Sequence, residues 1–248
     1  MLHIFAEPAR MREEFLTIEG GQYNHIRNVL RMKKGEEISV SDGTDRARYL
    51  YEVWDYGQDR VILKKKGLIS TEAELPVRVI LFQGLPKSDK MEWIIQKAVE
   101  LGVTDIVPVS MKRCVMRLDP KKADKKIQRW QTIAESAAMQ SKRALVPRVH
   151  APMTMKEAVR MAEAETELRV LPYELQEDEG KTKALFEGLG EGSSVSVFIG
   201  PEGGFEESEV EEAREAGILP ISLGRRILRT ETAAMVVLSW LIYRFEIA

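Results

Sequence analysis

Residues 198–209 read FIGPEGGFEESE, and residues 222–234 read SLGRRILRTETAA. The first stretch ends an apolar run at a loop that holds three glycines, one proline and one carboxylate, Glu202. Glycine is costly to order, so three of them around Pro201 indicate a sharp turn or a close approach of the backbone to a ligand. The loop follows a predicted strand and precedes a predicted helix, which is where open α/β sheets bind ligands.

Length and composition indicate a folded protein. The chain has 248 residues, 44% of them hydrophobic, enough for one large domain or two small ones. Its single cysteine, Cys114, excludes an internal disulfide framework, and its three histidines are far apart in sequence, so no metal site is predicted. No secretory signal is visible, and the longest apolar run is shorter than the ~20 residues of a membrane span. We expect a cytoplasmic protein that does not insert into membranes.

The formal net charge of -2 conceals a segregation of charge along the chain. Residues 111–156 carry 12 Lys or Arg against 3 Asp or Glu, whereas residues 157–215 carry 17 acidic residues against 5 basic ones. A basic block of this kind is compatible with binding to a phosphate backbone. It is equally compatible with a solvated helix face.

The spacing of the apolar residues divides the chain into two parts. Residues 1–70 predict a small β-rich domain, in which short strand-like runs are separated by turn signals. Residues 71–76 are mostly polar, end at Pro76 and predict a linker. In residues 77–248, predicted strands alternate with predicted helices, which is typical of an α/β domain with a mostly parallel sheet.

Sequence patterns also predict where three helices begin. Ser88 precedes a run whose apolar residues recur at helical spacing, so it is a predicted N-cap. Thr154 and Glu157 form a capping-box pattern, and Ser208 with Glu211 gives the same pattern after the glycine loop.

The residues of the glycine loop exclude several ligand classes. The loop lacks the G-x-G-x-x-G spacing of dinucleotide sites, and Glu202 at its centre would repel a pyrophosphate. No nucleophile elbow or His-Glu-x-x-His metal motif occurs in the sequence. What remains is a pocket built largely from backbone groups and apolar strand ends. S-adenosyl-L-methionine suits such a pocket, and on residue types alone so do several other nucleosides.

The two quoted stretches together closely resemble the C-terminal signature of the bacterial ribosomal RNA small subunit methyltransferase E family, in the SPOUT class of methyltransferases. The segments KSDKMEWIIQKAVELGV, RLDPKKADKKIQRWQTIAESAAMQS and HIRNVLRMKKGEEISVSDG are similar to the same family. The resemblance therefore covers nearly the whole chain. The segment MKRCVMR departs from it, because Ser is expected in the family where this chain has Cys114.

The resemblance implies a fold and an activity. The expected fold is α/β, with a PUA-like RNA-binding β-barrel in residues 1–70 and a SPOUT domain with a C-terminal trefoil knot in residues 77–248. A homodimer is expected. The expected reaction is S-adenosyl-L-methionine-dependent methylation of N3 of a uridine in 16S rRNA, near the decoding centre of the small ribosomal subunit. The alternatives are a non-catalytic RNA-binding ribosome-assembly factor and a methyltransferase that modifies a different RNA position.

The resemblance also assigns residues. The expected catalytic residues are Arg229, as a donor to a uracil carbonyl, and Glu231 and Glu202, as bases or orienting groups. The cofactor is expected to lie against three strand ends and the start of the last helix, at Leu171, Ile199, Gly200, Gly203, Gly204, Leu223, Gly224, Leu228, Thr230 and Ala233. RNA contacts are expected from basic residues of the first domain and of one long helix, namely Arg10, Arg12, Arg27, Arg31, Lys33, Lys34, Lys125, Lys126 and Arg129.

Overall fold

A computed structural model describes residues 1–69, 73–118, 120–175 and 180–247 of the chain. The chain forms two compact units: Met1–Glu74 with Ala138–Val146, and Leu75–Ala137 with Pro147–Ala248. The predicted boundaries at residues 70 and 77 lie on either side of the division after Glu74. The inclusion of residues 138–146 in the first unit was not predicted, because it depends on contacts with residues far away in sequence.

The first unit contains a five-stranded sheet. Its strands are β1 (Leu2–Phe5), β2 (Phe15–Glu19), β3 (Glu37–Ser41), β4 (Arg48–Gly57) and β5 (Arg60–Ile69), in the order β1-β3-β4-β5-β2. Strands β1 and β3 run parallel, and the other neighbours are antiparallel. A short helix, α1 (Gly20–Asn24), continues into a π-helical turn over His25–Val29. Strands β3, β4 and β5 coincide with the runs EEISVSDG, ARYLYEVWDY and RVILKKKG, which the sequence predicts as strands, whereas β1 and β2 were not predicted.

A buried polar group lies within the core of this unit. His3 on β1 is only 3% exposed. Its ring nitrogens lie 2.9 Å from the Ser39 hydroxyl and 3.2 Å from the Ser41 hydroxyl, both on β3. Burial, and to a smaller extent the nearby Arg48, lower the pKa of His3 to about 4. The imidazole is therefore neutral in the folded protein at neutral pH.

The second unit contains a parallel sheet flanked by helices. Its strands are β6 (Arg78–Gly84), β7 (Asp105–Ser110), β8 (Arg148–Val149), β9 (Met153–Thr154), β10 (Leu168–Pro172), β11 (Ser194–Ile199) and β12 (Leu219–Ile221). The order is β12-β10-β11-β6-β7-β8, with β9 also paired to β7. The helices are α2 (Lys90–Glu100), α3 (Pro120–Gln140), α4 (Met155–Glu165), α5 (Lys181–Glu187), α6 (Glu207–Glu215) and α7 (Thr230–Ile242). This arrangement confirms the predicted α/β organisation.

The apolar pattern of the central strands and helices explains this packing. All residues of β6 except Arg78 are buried, as expected for a parallel strand that is covered on both faces. The aromatic rings of Phe82 on β6 and Phe198 on β11 stack with their centroids 4.4 Å apart. On α2, the buried residues recur at helical spacing and form one face against the core, at Met91, Ile94, Ile95, Ala98 and Val99.

The helix starts confirm one of the predicted caps and correct two. Thr154 and Glu157 form the predicted capping box at α4. Ser88 is not an N-cap, because its φ of 57° places it in a turn and α2 begins at Lys90. The Ser208 cap is also wrong. Helix α6 begins earlier, at Glu207, with a capping box formed by Glu206 and Glu209.

The final helix is apolar on most sides, as predicted. Val237 and Leu241 are buried, whereas Val236 and Trp240 are partly exposed. The Trp240 ring packs edge-on against Phe186 of α5, with the centroids 5.4 Å apart. Within the described ranges, none of the helices has the length and apolar character needed to cross a membrane.

Candidate functional site

A cavity of about 430 Å³ opens in the second unit, where the parallel strands end. Three neighbouring strands, β10, β11 and β12, deliver the loops that form its walls. The lining residues are Lys90, residues 172–174, 199–205, 222–224 and 226–230, and Ala233. The two stretches quoted from the sequence therefore meet at one site, at the edge where open α/β sheets bind ligands.

Most of the residues expected to hold a cofactor lie around this cavity. The lining includes Ile199, Gly200, Gly203, Gly204, Leu223, Gly224, Leu228, Thr230 and Ala233. Leu171 does not line it, because its side chain is fully buried in the apolar core beneath the sheet edge. The next three residues along the chain, Pro172, Tyr173 and Glu174, reach the cavity in its place.

The shape of the glycine loop depends on contacts within the chain. A Cβ atom added at Gly200 would lie 3.1 Å from the carbonyl carbon of Gly204, and one at Gly203 would lie 3.1 Å from Cβ of Arg113. Gly204 has a φ of 68°, a conformation that residues with side chains rarely adopt. At the end of β6, a Cβ at Gly84 would lie 2.7 Å from the Pro201 ring. The packing and backbone conformation of the loop itself therefore favour glycine at these positions.

Two basic residues after β7 hold the outer side of the loop. The Arg113 guanidinium pairs with Glu206 at 2.7 Å and donates to the Gly203 carbonyl at 3.1 Å. The Lys112 backbone N–H donates to Glu209 at 2.8 Å. These contacts join residues 90 or more positions apart, so no local pattern predicts them. They fix the loop to the start of α6.

Thr230, the first residue of α7, holds the inner side of the loop. Its hydroxyl donates to the Gly200 carbonyl at 2.6 Å and accepts a hydrogen bond from the Gln83 side chain at 2.9 Å. Thr230 is 5% exposed and Gln83 is fully buried. One hydroxyl thus connects the end of β6, the glycine loop and the last helix.

The two predicted carboxylates share one cation. The Lys90 ammonium lies 3.0 Å from Glu202 and 3.5 Å from Glu231. Glu202 also accepts a hydrogen bond from the Lys87 backbone N–H at 3.0 Å. Burial raises the pKa of the Glu202 carboxyl, but backbone hydrogen bonds and Lys90 outweigh this effect and leave the pKa below its ordinary value. Glu202 is therefore an ionised carboxylate within a braced loop.

Glu231 and Lys90 differ in how they relate to the cavity. Lys90 lines it, whereas Glu231 stands in the first turn of α7 outside the lining set. Glu231 Oε2 is buried and accepts no hydrogen bond from the described part of the chain. Sequence reasoning did not identify Lys90. The signal was present in KSDKMEW, because a lysine at a helix start after a central strand lies at the same sheet edge as the glycine loop.

Arg229 lines the cavity and is exposed at its rim. Across the ranges that the structure describes, its guanidinium has no hydrogen-bond or ion-pair partner. A free guanidinium at this place can donate two hydrogen bonds to a carbonyl or anionic ligand.

Cys114 is a packing residue at the base of the loop that carries Arg113. Its Sγ accepts a hydrogen bond from the Met111 backbone N–H at 3.3 Å, and its side chain packs against the core of the second unit. Burial raises the pKa of the Cys114 thiol above its ordinary value. The thiol is therefore protonated and unreactive at neutral pH.

The residues predicted to contact RNA are exposed or half-buried, and some already have partners. In the first unit, Arg10 pairs with a carboxylate at 3.2 Å, Lys34 pairs with one at 2.5 Å, and Arg27 lies over an aromatic ring at 4.3 Å. The charged groups of Arg12, Arg31 and Lys33 have no ion-pair partner among the described residues.

The predicted basic face of α3 is partly neutralised. Arg129 pairs with Glu92 on α2 at 2.6 Å, whereas Lys125 is exposed and Lys126 is half-buried. No group of three or more metal-binding side chains occurs in the portion of the chain that the structure describes.

Comparisons with known proteins agree with this geometry. Residues 73–242 match a family described as an RNA methyltransferase domain, and residues 18–55 match one described as an RNA methyltransferase PUA domain. The chain is 38% identical to the ribosomal RNA small subunit methyltransferase E of Bacillus subtilis, over 93% of this chain and 91% of that protein. It is 31% identical to the Mycobacterium bovis protein of the same name, over 90% and 84% of the two chains.

A solved structure shows the same fold. The ribosomal RNA small subunit methyltransferase E of Neisseria gonorrhoeae, bound to S-adenosyl methionine, superposes with a TM-score of 0.85 and 28% identity over 99% of this chain and 98% of that one. The match extends over both units. The chain belongs to the ribosomal RNA small subunit methyltransferase E family, and it combines an RNA methyltransferase domain with a PUA domain.

Proposed function

We propose that this protein binds S-adenosyl-L-methionine in the cavity at the ends of β10, β11 and β12 and methylates N3 of a uridine in 16S rRNA, near the decoding centre. The observation that carries the proposal is the meeting of the GPEGG loop and the LGRRILRTETAA loop at one cavity. The Neisseria gonorrhoeae relative, which holds S-adenosyl methionine, supports the choice of cofactor.

The cavity suits this cofactor in size and in charge. Its volume of about 430 Å³ lies within the usual range for small-molecule sites. Apolar side chains such as Ile199, Leu223 and Leu228 alternate around it with the backbone of the glycine loop. Two carboxylates, Glu174 and Glu202, also line it. The lining also includes the cations Lys90, Arg226 and Arg229, so the cavity offers charges of both signs to a ligand that itself carries a cationic sulfonium, a cationic ammonium and an anionic carboxylate.

The proposed reaction is an in-line displacement. A bond forms between uracil N3 and the methyl carbon as the bond from carbon to sulfur breaks, and the N3 proton passes to solvent. Alignment of donor and acceptor supplies much of the acceleration. Arg229 stabilises the uracil anion by donating to a carbonyl oxygen, where negative charge accumulates.

We assign orienting roles to the two carboxylates. The Glu202 carboxylate is occupied by Lys87 and Lys90, and its lowered pKa makes it a weak base. Glu231 lies behind Lys90, outside the cavity lining. Together they hold the Lys90 ammonium at the cavity wall, whereas the Arg229 guanidinium stays available to the substrate.

The other expectations follow from family membership. We propose that the second unit belongs to the SPOUT class and carries a trefoil knot, and that the PUA domain contacts rRNA in the cytoplasm together with basic residues of α3. We also propose a homodimer. The apolar side chains of α7 that are only half-buried, Val236 and Trp240, and the exposed Tyr243 and Ile247 just after it, support this proposal.

Loss of the gene tests the target. Nucleosides from small-subunit rRNA of cells that lack the gene are to be mapped by mass spectrometry. We expect one N3-methyluridine to disappear and to return when the gene is restored. A normal N3-methyluridine, with loss of a methyl group elsewhere, would instead support a different RNA position.

Calorimetry with S-adenosyl-L-methionine separates the enzyme from a non-catalytic assembly factor. We expect saturable binding to the wild-type protein, and binding within about tenfold of that affinity, or roughly 1.4 kcal/mol, for Arg229→Ala. Transfer by Arg229→Ala is expected to be lost. Absence of binding at millimolar cofactor would favour the assembly factor, and equal loss of binding in Arg229→Ala would make this arginine a cofactor ligand.

A further inference from the structure

The loop between β12 and α7 carries three arginines without partners. Arg225, Arg226 and Arg229 are exposed, and within the described ranges their guanidinium groups make no hydrogen bond or ion pair. Two other exposed arginines of the same unit are paired with carboxylates. Arg113 holds Glu206 at 2.7 Å, and Arg129 holds Glu92 at 2.6 Å. The three guanidinium groups therefore concentrate positive charge that the described chain does not neutralise.

These cations lie beside the cavity. Arg226 and Arg229 both line it. Lys90 lines it too, but two carboxylates share its ammonium. A polyanion that approaches the cavity would thus meet Arg225, Arg226 and Arg229 as its nearest unpaired cations, and each contact with a phosphate would release a condensed counterion.

An apolar side chain stands between the arginines. Ile227 lines the cavity and is 83% exposed, although it belongs to the residue types that are most often buried. Its neighbour Leu228 is half-buried. An exposed apolar side chain flanked by unpaired cations resembles the elements that insert between stacked bases while basic residues hold the backbone.

We propose that residues 225–227 grip the substrate RNA. Arg225 and Arg226 bind phosphates that flank the target nucleotide, and Ile227 fills the space that this nucleotide leaves in the base stack. The inference rests on the proposed function, because N3 of a paired uridine faces its partner base and becomes accessible only when the nucleotide turns out of the stack. The partner is a structured RNA, since phosphates complement the cations and a vacated base step complements Ile227.

Salt-dependent RNA binding tests the two arginines without any chemistry. Fluorescence anisotropy with a labelled 16S rRNA fragment is to be measured between 50 and roughly 300 mM salt. We expect the double variant Arg225→Gln with Arg226→Gln to bind at least roughly tenfold more weakly at low salt. Its slope of log affinity against log salt should be shallower by about 1.4–1.8, the value for two lost phosphate contacts. Arg214→Gln, at an exposed arginine of α6 outside the cavity lining, is the matched control. An unchanged slope in the double variant would overturn the phosphate contacts.

Methyl transfer to small ribosomal subunits tests Ile227. We expect Ile227→Ala to lower kcat/KM at least roughly tenfold on small subunits, with affinity for S-adenosyl-L-methionine within about threefold of wild type and an unchanged salt slope. On a short single-stranded oligonucleotide, whose bases are already accessible, the loss should be less than about threefold. Leu219→Ala, at an exposed apolar residue outside the cavity lining, is the control. Equal losses on both substrates would show that Ile227 does not fill the space left in the base stack.

Two further outcomes distinguish the remaining explanations. If Ile227→Ala converts a dimer into a monomer in sedimentation velocity, a second copy of the chain covers this residue, and the proposed insertion of Ile227 into the base stack is wrong. If the wild-type protein transfers no methyl group to small subunits, the proposed function fails. The salt slope of the double variant then still decides whether the loop binds RNA.

Discussion

Replacing Thr230 by valine removes one hydroxyl group and keeps the shape of the side chain. That hydroxyl donates to the Gly200 carbonyl at 2.6 Å and accepts from the Gln83 amide at 2.9 Å, in a place that is almost completely buried. Gln83 Oε1 already has no hydrogen-bond partner in the described chain. The substitution therefore leaves a buried amide with one more unpaired group and frees the first glycine of the loop.

The expected cost follows from these two hydrogen bonds. Losing the bond to Gly200 costs about 1 kcal/mol. The Gln83 amide nitrogen keeps its bond to the Gly84 carbonyl at 3.0 Å, and leaving its other N–H unpaired costs about 1–3 kcal/mol more. We expect Thr230→Val to lower the free energy of unfolding of the second unit by about 3 kcal/mol. Thr230→Ser keeps the hydroxyl and loses one methyl group, which costs about 1 kcal/mol. Because Gly200 lines the cavity, affinity for S-adenosyl-L-methionine should fall roughly tenfold in the valine variant and remain near wild type in the serine variant.

Urea denaturation and calorimetry measure these two effects independently. The informative quantity is the difference between Val and Ser, because Val keeps the shape of the side chain and loses the hydroxyl, whereas Ser keeps the hydroxyl and loses a methyl group. If the two variants unfold within about 0.5 kcal/mol of each other and bind the cofactor equally, Thr230 does not connect β6, the glycine loop and α7 as described.

Three further perturbations test other parts of the structure. His3 has a pKa of about 4 in the folded protein and about 6.5 in the unfolded chain, so the free energy of unfolding should be highest above pH 6.5 and fall by up to about 3 kcal/mol as the pH approaches 4. His3→Gln should flatten this pH dependence, and identical curves for the two proteins would contradict it. Lys90→Met should reduce methyl transfer by roughly tenfold to a hundredfold because it releases Glu202, whereas Lys90→Arg should keep most of the activity. Equal kinetics for both variants would show that the Lys90 charge does not position Glu202. Gly84→Ala should destabilise the protein by about 1–3 kcal/mol in urea denaturation, because its Cβ would lie 2.7 Å from the Pro201 ring. Gly190→Ala, whose Cβ would have no atom of the described residues within 4 Å, should be near neutral in that assay.

Much of the fold was predictable because its signals are local. Strands with continuous apolar runs alternate with helices of 3.6-residue periodicity, and the structure has these elements at the predicted places. The Thr154–Glu157 capping box involves residues three positions apart, so the sequence contains all of the information. The cavity was predictable for a similar reason. GPEGG and RTETA each follow a parallel strand, so both were expected at the ligand-binding edge of the sheet. That they share one cavity depends on the strand order, in which β10 lies between β11 and β12.

The predictions that failed depend on contacts between distant residues. Ser208 is of a residue type that often caps helices, but Arg113 holds Glu206, and the helix begins one residue before Ser208. Ser88 lies in a turn with positive φ, beside a helix start that a long-range pair between Lys90 and Glu202 holds in place. A periodic pattern within one segment does not predict such pairs, because the partners are about a hundred residues apart.

The site shows the same limit. The residue types of the glycine loop suggest a reason for its glycines, close approach to a ligand, whereas the structure also shows contacts within the chain that require them. Gly200 and Gly203 are crowded by Gly204 and Arg113. The role of Lys90, which pairs with two carboxylates at once, becomes visible only when β6, β11 and α7 lie side by side.

Methyl transfer in a purified system tests the central claim most directly. The wild-type protein is to be incubated with small ribosomal subunits from cells lacking the gene and with S-adenosyl-L-methionine labelled in its methyl group. The rRNA is then digested, and its nucleosides are separated. We predict that one labelled nucleoside appears, N3-methyluridine from 16S rRNA, and that Arg229→Ala yields none. Label on another nucleoside, or no label with wild-type protein that binds the cofactor, would contradict the account.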